Sequence, residues 1–352
     1  MTEEKRTEIG ELGEFGLIKV LTTNFPIHNP STLKGIGDDA AILNFGDDTT
    51  VLTTDLLIEG IHFDLMYMPL IHLGYKAVIT NLSDVYAMNA HPKQITVSLA
   101  ISSRFSVEAL EEIYEGIRHA CKSFGVDLVG GDTTSSNKGL IISITAIGTQ
   151  EKSKIVERST AKVGDLICVS GDLGSAYLGL QLLEREKRLF VENPEIKPDL
   201  EEQKYLVGRQ LKPEARKDII DLFEELKILP TAMIDVSDGL SSDLLHICVG
   251  SKVGARIFEA DVPIHEEAFH QALKFNLDPI TCALSGGEDY ELLFTIKPED
   301  KQKLQGVLEV THIGEIVPES EGVKLHTKGG NIHDITAQGW DALLAANKKS
   351  PK

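Results

Sequence analysis

The sequence predicts an α/β fold, with helices layered on sheets in the α+β manner, divided into two domains. Three observations lead there. The chain has 352 residues, enough for two cores of ordinary size. Strand-like runs alternate with long helical runs, the signature of helices packed on sheets. Around residues 152–164 the pattern breaks into a polar segment, and a second series of elements begins. A boundary between 150 and 163 gives domains of residues 1–155 and 156–352.

In the first domain, Ile9, Leu12, Phe15, Ile18 and Leu21 recur at helical spacing, predicting an amphipathic opening helix over 8–23. Strands are predicted at 40–43 and 51–58. The β-branched run Thr49-Thr50-Val51-Leu52-Thr53 places Thr54-Asp55 at a strand end. A helix over 72–88, a strand over 94–101 and a helix over 107–124 follow. Strands at 126–129 and 140–147 complete the domain, the second alternating and rich in isoleucine. In the second domain the pattern reads strand 166–170 and helix 174–186. Residues 188–203 hold two prolines and many charges, an exposed excursion. Helix 214–226, strand 232–235, helix 240–249 and strands at 255–259, 292–296 and 312–316 come next, with a last helix near 340–346.

Composition excludes several classes. Hydrophobic content of 42% and charged content of 25% are those of a soluble globular protein. No apolar run approaches the roughly 18 residues of a membrane span. Met1-Thr2-Glu3-Glu4-Lys5-Arg6 lacks the apolar core of a leader, so a cytoplasmic location is expected. Cys121, Cys168, Cys248 and Cys282 are far apart in apolar or small-residue surroundings, which suits buried spectators better than zinc or disulfides. A net charge of −19 argues against a nucleic-acid surface.

Seven aspartates stand in five Gly-, Thr- or Ser-punctuated motifs. These are Gly35-Ile36-Gly37-Asp38-Asp39, Thr53-Thr54-Asp55, Asn81-Leu82-Ser83-Asp84, Gly130-Gly131-Asp132-Thr133-Thr134 and Asp235-Val236-Ser237-Asp238-Gly239. Each has an apolar run beside it, so each carboxylate is expected where an ordered element meets a loop. Asp38-Asp39 also fits an ordinary turn, and Ser237 or Asp238 a helix cap. Asn81 and Asp84, three apart, share one face of a helix. Converging carboxylates need a cation, and hard oxygen donors suit Mg²⁺ held together with substrate phosphates. The chain has no GxxxxGK[ST] segment and no HRD or DFG set, which excludes the Walker and protein-kinase scaffolds. The expectation is a multi-metal phosphoryl-transfer enzyme on another scaffold.

With Gly60-Ile61-His62-Phe63 and Ser285-Gly286-Gly287-Glu288-Asp289-Tyr290-Glu291-Leu292 added, the motifs resemble those of the thiamine-monophosphate kinase family, in the aminoimidazole-ribonucleotide-synthetase superfamily. The resemblance runs from about Gly10 to Ala345. It implies an aminoimidazole-ribonucleotide-synthetase-like fold whose N-terminal ATP- and Mg-binding domain pairs across a homodimer, with a C-terminal α/β domain covering the site. It implies ATP-dependent phosphorylation of thiamine monophosphate to thiamine diphosphate, with several Mg²⁺ ions and ATP as co-substrate. By motif match, Asp39, Thr53, Thr54, Asp55, Asp84, Asp132, Asp235 and Asp238 are metal ligands. Tyr114, Gly131, Asp132, Arg158 and Ser237 meet ATP, and His62, Glu288 and Trp340 meet the thiamine portion. No residue is needed as general base, because the acceptor phosphate is largely ionised at neutral pH. The sequence departs from the family at Asn89, at His91, and at Ser175-Ala176, where an Asp-Ser pair often follows the second glycine.

Other ATP-dependent members of the superfamily are the alternative. No cysteine precedes Gly35 and none ends the chain, which speaks against the selenophosphate-synthetase and hydrogenase-maturation patterns. A metal- or nucleotide-binding regulator without catalysis is the reading from another class, and product formation separates it from a kinase.

Overall fold

The computed structural model describes residues 17, 20–34, 42–195, 198 and 200–336. The chain forms two compact units, one of residues 1–85 and 90–153, the other of residues 86–89 and 154–352.

The first unit is built on a four-stranded sheet of β3 (Thr49–Ile58), β4 (His91–Ile101), β5 (Asp127–Ser135) and β6 (Ile141–Gln150), in the order β3-β6-β4-β5. A short antiparallel pair, β1 (Thr32–Lys34) and β2 (Ile42–Leu43), precedes it. β6 runs antiparallel to β3 and β4. β4 and β5 are parallel because helix α2 (Val107–Phe124) carries the chain between them. Helix α1 (Leu70–Ala87) lies on the sheet face that carries Thr53 and Asp55: the Asp55 N–H donates to Asn81 Oδ1 at 3.1 Å. α1 and α2 meet backbone to backbone. A Cβ on Gly74 would stand 1.9 Å from the Ile113 carbonyl oxygen, and one on Gly116 1.9 Å from that of Ile71, so both positions require glycine.

On the other face of β3, Leu52 and Leu56 are 67% and 48% exposed, beside exposed Thr50 and Thr54. The period-two alternation expected of a half-covered sheet is thus complete, with one face uncovered in this unit.

Two placements differ from expectation. β3 ends at Ile58, as the predicted 51–58 strand does, so Asp55 is an interior residue of the strand and not one at its end. β5 does not stop at Gly130-Gly131-Asp132. A bulge in β5 leaves Val129 unpaired opposite the Ile95–Thr96 step of β4, and the ladder resumes with Gly130 opposite Thr96 and Asp132 opposite Ser98. β-branched Thr133 and Thr134 then extend it.

The second unit holds a seven-stranded sheet in the order β13-β12-β9-β11-β7-β10-β8. The strands are β7 (Leu166–Ser170), β8 (Ala232–Asp235), β9 (Val253–Phe258), β10 (Leu292–Ile296), β11 (Val310–Pro318), β12 (Val323–His326) and β13 (Ile332–Asp334). Only the β9–β12 pair is parallel. The main core joins Ile167 and Val169 of β7, Leu293 of β10 and Ile313 of β11 to Leu240, Leu244 and Ile247 of helix α6 (Leu240–Ser251). The other helices are α3 (Ser175–Glu192), α4 (Lys204–Leu211), α5 (Lys217–Leu226), α7 (Glu266–Lys274) and α8 (Pro279–Ser285). The predicted excursion is partly helix, since α3 runs on to Glu192; residues 188–195 and 201–202 are mainly exposed. Asn89 takes φ +55, a left-handed conformation that asparagine tolerates, and donates from Nδ2 to the Lys154 carbonyl at 2.8 Å. The predicted helix near 340–346 lies outside the described residues.

Candidate active site

β3 and α1 bring together Thr53, Asp55, Asn81 and Asp84. Thr53 and Asp55 are two apart on a strand and face the same way, while Asn81 and Asp84 lie one turn apart on the helix above. Thr53 Oγ1 donates to Asp84 Oδ2 at 2.6 Å. Burial pushes both carboxyls up, Asp55 to about 6 with the Asp84 charge as the second cause. Two part-buried carboxyls, one of them raised further by the charge of the other, are poorly arranged for an empty fold and well arranged for a cation. Thr54 points to the opposite face, where its hydroxyl donates to the Ile144 carbonyl at 3.0 Å and accepts from Thr145 Oγ1 at 3.1 Å. Asp132 is exposed and lies one register step from the row Asp55–Ile144–Val97–Gly131. Gly131 is where a Cβ would stand 1.9 Å from the Val97 carbonyl oxygen.

His62 is half-buried in the loop after β3, and its Nδ1 accepts the Ile58 N–H at 3.0 Å. The neutral ring therefore carries its proton on Nε2. Tyr114 is buried within the α2 packing, edge-on to Phe25. Arg158 is exposed, and its carbonyl accepts from Ser251 Oγ at 3.4 Å. Asp39 and Trp340 lie outside the described residues.

In the second unit, the Asp235–Gly239 and Ser285–Glu291 motifs run side by side. The Glu288 N–H donates to the Ser237 carbonyl at 2.8 Å, Tyr290 N–H to Val236 at 2.9 Å, and Val236 N–H to Glu291 at 2.7 Å. The fit is tight, because a Cβ on Gly287 would approach the Ser237 carbonyl oxygen to 2.4 Å. Glu288 and Tyr290 sit at φ +65 and +52, left-handed conformations that non-glycine residues adopt only when neighbours impose them. Asp235 is buried and Asp238 half-buried at the start of α6.

Several supporting residues escaped sequence reasoning. Asp243, on the first turn of α6, accepts the Asp238 and Gly239 N–H groups at 3.2 and 3.1 Å. Burial and then the charges of Asp235 and Asp238 push its carboxyl up to about 8. An acid in the first turn of a helix after Asp-Gly was the available signal. Asp289 accepts from Gly174 and Ala176 N–H at 2.7 and 3.1 Å, anchoring the loop in which Ser175-Ala176 replaces the more usual pair. Among the described residues, no three His, Cys, Asp or Glu side chains form a complete metal cage. The donor set instead offers carboxylate pairs with adjacent hydroxyls, which fits a magnesium ion that takes its other ligands from phosphate and water.

Residues 37–150 match the AIR synthase related protein N-terminal domain, and residues 162–326 the corresponding C-terminal domain. The chain is 36% identical to the thiamine-monophosphate kinase of Aquifex aeolicus over 330 residues, which span 94% of this chain and 98% of that one. It belongs to the thiamine-monophosphate kinase family. The Bacillus subtilis thiamine-monophosphate kinase is 35% identical, with 86% of this chain and 89% of that protein covered. Among solved family structures, AaThiL complexed with AMPPCP and TMP superposes with a TM-score of 0.72 at 34% identity, covering 96% of this chain and 99% of that one. Among the described residues, no helix is long and apolar enough to cross a membrane.

Proposed function

We propose that this chain transfers the γ-phosphoryl group of ATP directly to a phosphate oxygen of thiamine monophosphate, giving thiamine diphosphate and ADP. The observation that carries the chemistry is the Asp55–Asp84 pair, two part-buried carboxyls that β3 and α1 bring close enough for the charge of Asp84 to act on Asp55, with Thr53 bonded to Asp84. Family membership supplies the substrates. Asp55, Asp84 and Thr53 would hold magnesium in the first unit, with Asp39 and Asp132 as further ligands, whereas Thr54, also expected as a ligand, turns its hydroxyl to the other sheet face; Asp235 and Asp238 would hold magnesium in the second. Magnesium, when bound, supplies the positive charge that lets two anionic phosphates approach. Gly131, Asp132, Arg158 and Ser237 contact ATP; Tyr114, buried against Phe25, is the weaker candidate. His62, Glu288 and Trp340 meet the thiamine portion: Trp340 by stacking on the cationic ring, Glu288 by charge.

No side chain has to remove a proton, since the acceptor phosphate is already largely a dianion at neutral pH. The protein's task is to place donor and acceptor in line and exclude competing water. His62 serves as a binding group and not as a phosphoryl carrier, its Nδ1 being engaged by the Ile58 N–H.

Pairing of two copies through the first unit belongs to the same reading, supported by the uncovered β3 face with Leu52 and Leu56. A cytoplasmic location accompanies it. The test is ATP turnover with thiamine monophosphate, with and without Mg²⁺, the products separated by chromatography. Thiamine diphosphate and ADP are expected only with metal. ATP consumption with a different acceptor alone would move the chain to another branch of the superfamily.

A further inference from the structure

Helix α4 sends two neighbouring side chains into the loop that holds Glu288. The Arg209 guanidinium lies 2.9 Å from Glu291 Oε1 and 3.9 Å from Asp289 Oδ1. It also donates to the Asp172 and Asp289 carbonyls at 3.2 Å. The next residue, Gln210, is 3% exposed and donates from Nε2 to Glu288 Oε2 at 2.6 Å. α4 is itself closely fixed. A Cβ on Gly179 of α3 would stand 2.1 Å from the Leu206 carbonyl oxygen and 3.1 Å from Gln210 Cβ. Leu206 shares a small core with Leu178 and Leu182 of α3. The backbone at Glu288 is held left-handed by the Ser237 carbonyl, so its carboxylate is aimed by its surroundings.

We propose that Gln210 is the positioning residue for Glu288, fixing the carboxylate that faces the cationic, ring-bearing part of the substrate. The inference rests on the reading of Glu288 given above. A neutral amide suits this task for a definite reason. It orients one carboxylate oxygen and leaves the negative charge intact, whereas an ammonium or guanidinium there would discharge the group meant to attract a cation. The neighbouring cation, Arg209, is directed instead at Asp289 and Glu291.

Gln210→Met keeps the volume and removes the donor. In the full chain it should raise KM for thiamine monophosphate about tenfold, the effect of losing a hydrogen bond to a charged group. KM for ATP and kcat should stay within about twofold. Gln210→Lys, which keeps a donor but adds a positive charge beside Glu288, should also weaken thiamine monophosphate and spare ATP. On a Glu288→Ala background, Gln210→Met should add nothing further, because the group it orients is gone. If Glu288→Ala raises this KM and Gln210→Met leaves it unchanged, the positioning role is refuted while the reading of Glu288 stands. If Glu288→Ala itself leaves KM for thiamine monophosphate unchanged, the reading of Glu288 falls and the inference with it. Equal rises in both KM values, or full additivity with Glu288→Ala, would mean general damage to the loop and would overturn the proposal.

Discussion

Asp55 and Asp84 are the residues on which the chemistry turns, and their surroundings make predictions of opposite sign for activity and stability. Asp84→Ala should reduce turnover by about 10²-fold or more, the usual scale for removing a group that stabilises transferring charge, and far-ultraviolet circular dichroism should be unchanged. An unfolded variant would make Asp84 structural. For stability, Asp55 is raised from 3.8 to about 6, mainly by burial. A carboxyl held above its ordinary value takes up a proton on folding, so between about pH 4 and 6 the metal-free protein loses stability as pH rises. Above pH 6, metal-free Asp55→Asn should therefore be more stable than the parent by on the order of 2 kcal/mol, and the two should converge near pH 4. Thermal unfolding in a chelator checks this; added Mg²⁺ should stabilise the parent and not the variant. At this scale the acids were legible in the sequence because small, polar, turn-forming neighbours mark them out. Gln210 and Asp243 were not, since what they do depends on which backbone folds against them.

The helices and strands owe their positions to a few close approaches. Gly116→Ala would push a methyl into the Ile71 carbonyl, and Gly74→Ala into that of Ile113. Each should lower stability by about 1–3 kcal/mol, the range for overpacking a tight contact, read as a drop in thermal midpoint larger than that of a Leu110→Met control on α2. Gly131 carries the same constraint against Val97, so Gly131→Ala should loosen the β4–β5 pairing even without nucleotide. Hydrogen exchange at Thr133 and Thr134 is the measurement. The long, periodic α2 and the short apolar run of β7 were legible, and both occupy the predicted spans. β5 was read short because a two-glycine step looks like an ending, and the Val129 bulge after which the strand continues shows only in its pairing with β4. The short helices α7 and α8 gave too few turns for a periodic signal.

At the scale of the whole molecule, each compact unit has its own sheet. The uncovered β3 face leads to a test of pairing. The parent should behave as a dimer by light scattering, and Leu52→Asp with Leu56→Asp should yield monomers; a monomeric parent would end the pairing proposal. β3 also stands at the end of the strand order, ten residues long, with Asp55 as its only charged side chain. An edge strand of that length invites the addition of further strands, and a charge within it is a common safeguard against such growth. The carboxylate expected to grip metal is thus also the strand's gatekeeper. Neutralising it should make the metal-free protein at neutral pH harder to melt and, at high concentration, quicker to aggregate.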